Sequence, residues 1–302
     1  MGLLSGSASI SRFRVVSRPP QPDFDAARFT EIQPGSEVRE RSGFVAMEPE
    51  APYQVGHERF AFRVRQDQLK PDPTAVRERV KDLIRIELDT TGAGAVGPKK
   101  RKQLRELAEE ELIVRSSPRS KIVEGLIDGE TLYIASTAKS FLGTVLLLLR
   151  QVGVVVEPFA PWTADGSGEE VESELVEIRE PGHSVLGCRF LKALLEDREL
   201  LVEPVSGSVR LQTREARVSL TGAVLPELLR YVEQEVEILS AKLTTGEITF
   251  RLDGPSFRVT GLAIETERHD HWTELLDERV EKISAAFELL DAKYSDLADR
   301  LV

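Results

Sequence analysis

The sequence predicts an α+β protein of antiparallel sheets with a helical hairpin and a long C-terminal helix. Three observations lead there. Apolar residues alternate at period two, as in Phe60, Phe62 and Val64 against Ala61, Arg63 and Arg65. Strand-like runs pair across short turn dipeptides, Asp128-Gly129 being the clearest. From about His271 to Val302, Leu276, Val280, Ile283, Phe287, Leu290, Tyr294, Leu297 and Leu301 advance by alternating steps of four and three, a heptad seam. Connections that are mostly hairpins argue against a doubly wound parallel fold.

Taken in order, Leu3 to Val16 reads as a strand or strand pair, followed by a Pro-rich loop through Asp25. Gly43–Met47 and Arg59–Arg65 read as extended, the latter in a sheet with one wet face. Asp72 and Pro73 form the start signal of a helix whose stripe is Val76, Val80, Leu83, Ile84 and Ile86 or Leu88, ended by Gly92, Gly94 and Gly97. A second helix begins near Pro98 with Leu104, Leu107, Leu112 and Ile113 inward. Lys121–Ile127 and Thr131–Ala135 form a hairpin. Ser136 or Thr137 then caps an apolar helix reaching about Val152, and Val154–Phe159 is a further strand. Ala164–Glu174, rich in Gly, Ser and acids, reads as a linker. Beyond it come a short helix (Gly187–Asp197), strands at Glu199–Val205, Ser208–Thr213 and Ala216–Thr221, and a helix at Val224–Glu233. Val236–Thr244, Glu247–Asp253 and Ser256–Glu267 form a meander. The division expected is a sheet-and-helix domain from residues 1–70 and 120–162, a helical hairpin at 71–119 carrying a basic turn, and an α+β domain at 163–302.

Composition narrows the function classes. Of 302 residues, 41% are hydrophobic and 30% charged, which fits a folded chain. Lys and Arg number 40 against 51 Asp and Glu, a net charge of −11. Any nucleic-acid contact must then come from a local basic surface. The single cysteine, Cys188, excludes a disulfide within the chain and a Cys-rich zinc site, and reads as a small buried apolar residue. The longest apolar run, Val145–Leu149 continued by Val152–Val156, is far short of the about 20 residues of a membrane span. A cytoplasmic protein without a membrane partner is expected.

Enzymatic motifs are few. No glycine-rich phosphate loop, dinucleotide fingerprint or GxSxG elbow is present. His269-Asp270-His271 offers metal-ligand types at a helix entry, where polar residues are expected anyway. Asp291-Ala292-Lys293 has the Asp-x-Lys spelling of metal-dependent nucleases but lies in the heptad helix, where no strand presents it. Neither supports a catalytic or metal assignment, and no cofactor is expected.

The basic residues are more informative. Gly97 to Lys121 holds eight cations (Lys99, Lys100, Arg101, Lys102, Arg105, Arg115, Arg119 and Lys121) against four acids. Four consecutive cations at a helix start run against the helix dipole by a few tenths of a kcal/mol, a cost that points to a use. Arg115-Ser-Ser-Pro-Arg119-Ser-Lys121 mixes cations with hydroxyls, the groups that meet phosphate oxygens without reading bases. The competing reading of both is a solvated turn and a capping loop. The DNA-contact candidates are Lys99, Lys100, Arg101, Lys102, Arg115, Arg119 and Lys121.

Order and local pattern resemble the RdgC family of bacterial recombination-associated proteins. The resemblance is carried by Phe29-Thr-Glu-Ile32 through Gly43-Phe44-Val45, Lys70-Pro-Asp-Pro73, Gly97-Pro-Lys-Lys-Arg-Lys102, Arg115-Ser-Ser-Pro-Arg119, Ile127-Asp128, and Ala138-Lys139 leading to Leu147-Leu-Leu-Arg150. The stretch Arg101 to Pro158 is the most specific. The chain departs from the family at its Gly/Ser-rich start, at Ser116, Ser117 and Pro118 where relatives carry an aromatic, and at Pro204–Gly207 where relatives carry lysines. The resemblance implies a ring-shaped homodimer that encircles double-stranded DNA with little sequence preference. It also implies action on recombination by limiting the strand-exchange recombinase, in the cytoplasm at the nucleoid. The alternatives are a metal-dependent exonuclease and a non-catalytic scaffold that binds protein through the C-terminal helix or the acidic 165–180 stretch.

Overall fold

In the computed structural model, residues 2–33, 38–164, 185–197, 199–232, 236–245, 248–298 and 301 are described. They fall into two units. The larger comprises residues 1–22, 46–62 and 123–302, the smaller residues 23–45 and 63–122.

The larger unit is built on an antiparallel sheet. Its strands are β1 (Ala8–Ser17), β3 (Gln54–Gly56), the first residues of β4 (Arg59–Gln68), most of β5 (Arg119–Asp128), β6 (Thr131–Ile134), β7 (Val155–Pro158), β8 (Leu201–Val202), β9 (Gly207–Gln212), β10 (Arg217–Gly222), β11 (Glu237–Thr244), β12 (Thr249–Asp253) and β13 (Arg258–Leu262). The order β10-β9-β11-β12-β13-β1-β6-β5 places the N-terminal strand in the middle. Ala8 and Ile10 face Leu262 and Val259, and Ser11 to Arg14 face Ile134 to Thr131. With β13, β6 and β7 all pairing to it, β1 is covered on both faces: Ile10, Ser11, Arg12 and Phe13 are buried in succession, and only its end from Val16 is exposed. Asp128-Gly129 turns β5 into β6 with Gly129 at φ 58°, as the dipeptide predicts.

Helices pack on this sheet. Among the described residues the α-helices are, in chain order, α1 (Pro73–Thr91), α2 (Pro98–Ile113), α3 (Lys139–Gln151), α4 (Pro161–Ala164), α5 (Val185–Ala193), α6 (Leu225–Val232) and α7 (Trp272–Leu297). The heptad residues Leu276, Val280, Ile283, Phe287, Leu290, Tyr294 and Leu297 of α7, with Leu301 beyond it, are all buried within the larger unit. The seam therefore serves its own core, which leaves it unavailable as the subunit or partner contact that its spacing also allowed. Trp162 of α4 packs edge-on against Phe257 at 5.1 Å and lies 5.6 Å from Tyr294, while Phe190 of α5 sits 5.8 Å from Tyr294. Gly187 lets α5 reach the backbone at Gly254: a Cβ on Gly187 would overlap the Gly254 carbonyl oxygen. Cys188 on the same helix is buried, 2% exposed.

The smaller unit holds β2 (Glu40–Val45), which pairs antiparallel with Arg63–Gln68 of β4 from Val45↔Arg63 to Glu40↔Gln68. Phe24 packs edge-on against Phe44 at 5.0 Å, and the Arg65 guanidinium lies over Phe29 at 4.5 Å. Its other part is the α1–α2 hairpin. Among its described residues the interior of that hairpin is small: Val76, Leu83, Leu104 and Ala108 are buried, with Val80, Ile84, Val96 and Leu112 packed against them.

Several local expectations are corrected. Leu107 points outward, 43% exposed, and Ala108 takes the inward place, because Leu104 and Ala108 lie one turn apart on the face turned to α1. Ile86 is exposed, leaving Leu88 as the half-buried member of the α1 stripe. The wet face expected of Arg59–Arg65 is dry at Ala61, which is fully buried in the main core. The strand expected over Glu199–Val205 shrinks to Leu201–Val202, since Glu203 turns to bond the amides of Val205 and Ser206. Neither Ser136 nor Thr137 is the cap residue of α3. That residue is Ala138, and Ser136 accepts a bond from the Ala138 N–H. The expected linker beyond Ala164 lies outside the described residues. Among the described residues no helix is long and apolar enough to cross a membrane.

Candidate nucleic-acid interface

The sequence-predicted contacts all lie in the smaller unit, on and beside α2. Asp72 starts α1 by accepting from the Ala75 N–H at 3.3 Å, with Pro73 in the first turn. Gly92, at φ 66°, ends α1 with its N–H on the Leu88 carbonyl. The chain then turns to Gly97 and Pro98, and α2 opens with Lys99 to Lys102. Gly97 offers no side-chain cap and the first turn holds no acid, so these four cations meet the helix dipole without a carboxylate in their own turn.

Their environments differ. Lys100 pairs with Glu87 of α1 at 3.0 Å, tying the start of α2 to the end of α1. Lys102 sits 3.8 Å from Glu106 and Arg105 bonds Glu109 at 2.9 Å, both one turn along α2. Lys99 and Arg101 are exposed and have no side-chain hydrogen bond or ion pair among the described residues. Arg79 of α1 bonds Glu111 of α2 at 2.6 Å, and that bond holds the Glu111 carboxyl below its ordinary pKa.

Arg115 follows the other end of α2, exposed, its N–H on the Leu112 carbonyl at 3.1 Å. Arg119 and Lys121 are exposed on the first residues of β5. Two of the hydroxyls in this segment, those of Ser116 and Ser120, have partners inside the fold. Ser116 closes the helix by donating to the Leu112 carbonyl at 2.9 Å. Ser120 accepts from Arg65 at 3.3 Å and bonds Asp67. Burial raises the Asp67 pKa, but the bonds from Arg65 and Ser120 outweigh it and hold the carboxyl below its usual range. Since Ser120 faces Arg65 and Asp67, strand alternation sends Arg119 and Lys121 to the opposite face.

The structure thus gathers the seven predicted residues into two clusters, one at each end of α2. Eleven residues of helix run from Lys102 to its end at Ile113, about 17 Å. The smaller unit has 18 Lys and Arg against 15 Asp and Glu, a formal charge of +3; the larger has 22 against 36, or −14. Cations that the sequence reading did not single out join the first cluster. Lys70, Arg77 and Lys81 lie along the face of the α1–α2 hairpin that also carries Arg101, Lys102 and Arg105. Their signal was present: Arg77 and Lys81 are one turn apart, each adjacent to a stripe residue, Val76 or Val80.

The catalytic and metal alternatives meet a different geometry in the larger unit. Asp291 is engaged by Arg12, whereas Lys293 donates to Asp197 at 3.0 Å and Glu199 at 2.6 Å. The two ends of the Asp-x-Lys tripeptide thus serve separate ion pairs. His269 bonds Glu278 at 2.6 Å, while His271 caps α7 by accepting from the Thr273 N–H. Among the described residues no three His, Cys, Asp or Glu side chains form a group able to hold a metal ion. The chain matches no protein-family model and no curated protein.

Proposed function

We propose that this chain binds double-stranded DNA without sequence preference, through cations on and beside α2. The observation that carries the reading is the segregation of charge: +3 on the smaller unit of a chain whose net charge is −11, with unpaired cations at both ends of one helix. Lys99, Arg101, Arg119 and Lys121 have no side-chain ion pair among the described residues, so phosphates can take them without breaking one, whereas Arg115 already feels the Glu111 carboxylate. Lys100 and Lys102 would exchange a carboxylate for a phosphate. Phosphates on one strand follow at about 3.4 Å, so the stretch of about 17 Å between clusters spans about five of them.

The resemblance to the RdgC family extends this reading. Two copies close a ring around the duplex, each contact zone self-complementary by two-fold symmetry. The ring, associated with the nucleoid, occludes the DNA and so limits the strand-exchange recombinase. The action is binding, not catalysis. The test is fluorescence anisotropy of a labelled duplex without divalent metal, repeated across salt concentrations. Affinity that falls steeply with salt and equally for unrelated sequences is expected. Absence of binding at low salt overturns the reading, and light scattering that reports only monomer at micromolar concentration overturns the ring.

A further inference from the structure

The α1–α2 hairpin carries a groove of about 970 Å³ along one face. Its floor is apolar: Val76 is buried, and Val80, Ile84 and Val96 are half-buried where they line it. Lys70, Arg77 and Lys81 stand along one side, Arg101, Lys102 and Arg105 along the other. The lone acid, Glu109, is held by Arg105. Lys70, Arg77, Lys81 and Arg101 have no side-chain hydrogen bond or ion pair among the described residues.

We propose that this groove docks an acidic amphipathic helix of a partner protein. A phosphate backbone would satisfy the cations but leave the valine and isoleucine floor uncovered. A helix with apolar residues at i, i+3, i+4 and i+7 covers that floor, and carboxylates on its flanks meet both rows of cations. From Pro73 to Ile84 the α1 face is about 17 Å long, room for about three turns of a docked helix. The apolar floor supplies contact area, and the unpaired cations select an acidic partner over a basic one.

The test uses the full chain and a fluorescein-labelled peptide of about 14 residues, with Leu at i, i+3, i+4 and i+7 and Glu at most other positions. Two controls accompany it: the same composition shuffled, and a version with Lys in place of Glu. The ordered acidic peptide is expected to bind about tenfold tighter than either control. Arg77→Glu with Lys81→Glu, both exposed, should cost about tenfold in peptide affinity and only about twofold in duplex affinity, through the weakened field beside Arg101 and Lys102, while Arg77→Lys with Lys81→Arg retains the peptide. Equal binding of the shuffled peptide overturns the proposal. So does a loss of duplex affinity in the charge-reversed variant matching its loss of peptide, which would make the groove part of a DNA surface. Peptide binding without any duplex binding would sink the DNA reading and support this one.

Discussion

Arg12 and Asp291, 279 residues apart, meet in a two-pronged ion pair at 2.6 and 2.7 Å. The Arg12 side chain is 4% exposed, its guanidinium between the rings of Phe159 at 4.1 Å and Phe287 at 4.6 Å. Asp291 is 32% exposed, so water reaches the pair from the carboxylate side. Asp291→Ala would strand a buried cation. We expect a loss of about 2–3 kcal/mol in urea unfolding, with Asp291→Asn recovering part of it. A change within 0.5 kcal/mol, about the level of an ordinary surface substitution, would contradict the pair's structural role. Activity lost in this variant would accordingly report folding as much as chemistry.

Arg115→Glu, Arg119→Glu and Lys121→Glu together should weaken duplex binding alike on all sequences and flatten the salt slope by about one unit per lost phosphate contact. Anisotropy across salt reads both. An unchanged slope in a folded triple variant would remove these residues from the interface.

Within the basic turn, Lys99→Ala with Arg101→Ala should cost more duplex affinity than Lys100→Ala with Lys102→Ala. The first pair is unencumbered, whereas the second already holds Glu87 and Glu106. The reverse ranking would show that those carboxylates position their lysines for DNA instead of competing for them.

Gly187→Ala should destabilise the larger unit by about 1–3 kcal/mol or more, because the new methyl meets a backbone carbonyl that has no rotamer to move. A melting temperature within a degree of the parent would mean that α5 shifts away freely.

Stability should depend on pH at the base of α7. Glu278 accepts from Lys282 at 2.7 Å, from His269 and from the Glu267 N–H, which lowers its pKa to about 2. Its contribution is present above the ordinary glutamate range and fades as pH falls toward about 2. The same bond raises the His269 pKa. The stability contributed by charged His269 is complete below about 6.5 and is lost as pH rises through its elevated pKa. Melting temperatures from pH 2 to 9 should therefore sag at both ends, and His269→Gln should remove the alkaline limb alone. An alkaline limb that survives the substitution assigns it elsewhere.

Periodicity and turn chemistry made most elements legible, for they depend on neighbours in sequence. Asp72-Pro73, Asp128-Gly129 and the α7 seam announced themselves because cap, turn and stripe are written within a few residues. What escaped depends on tertiary partners. Leu107 and Ala108 exchange roles because the width of the α1–α2 contact favours the small residue. Ala61 is buried by the main core, which alternation along one strand cannot reveal. At the candidate interface the sequence showed which residues are cationic, but not that Lys100 and Lys102 are already paired. Nor did it show that Ser120 has partners inside the fold, since Glu87, Arg65 and Asp67 reach Lys100 and Ser120 only once the chain has folded.

The pairing of β1 with β13 has a consequence for synthesis. Ala8 and Ile10 must wait for Leu262 and Val259, while α1 and α2 can form as soon as residues 73–113 emerge. At about 5–20 residues per second, the first residues of β1 spend roughly 13–50 s without that partner, even after β6 and β7 have emerged to pair with the rest of the strand. For that interval the nascent chain presents an open strand edge on the ribosome, so a ribosome-bound holdase that shields Ala8 and Ile10 should raise the yield of folded protein more than one acting after release.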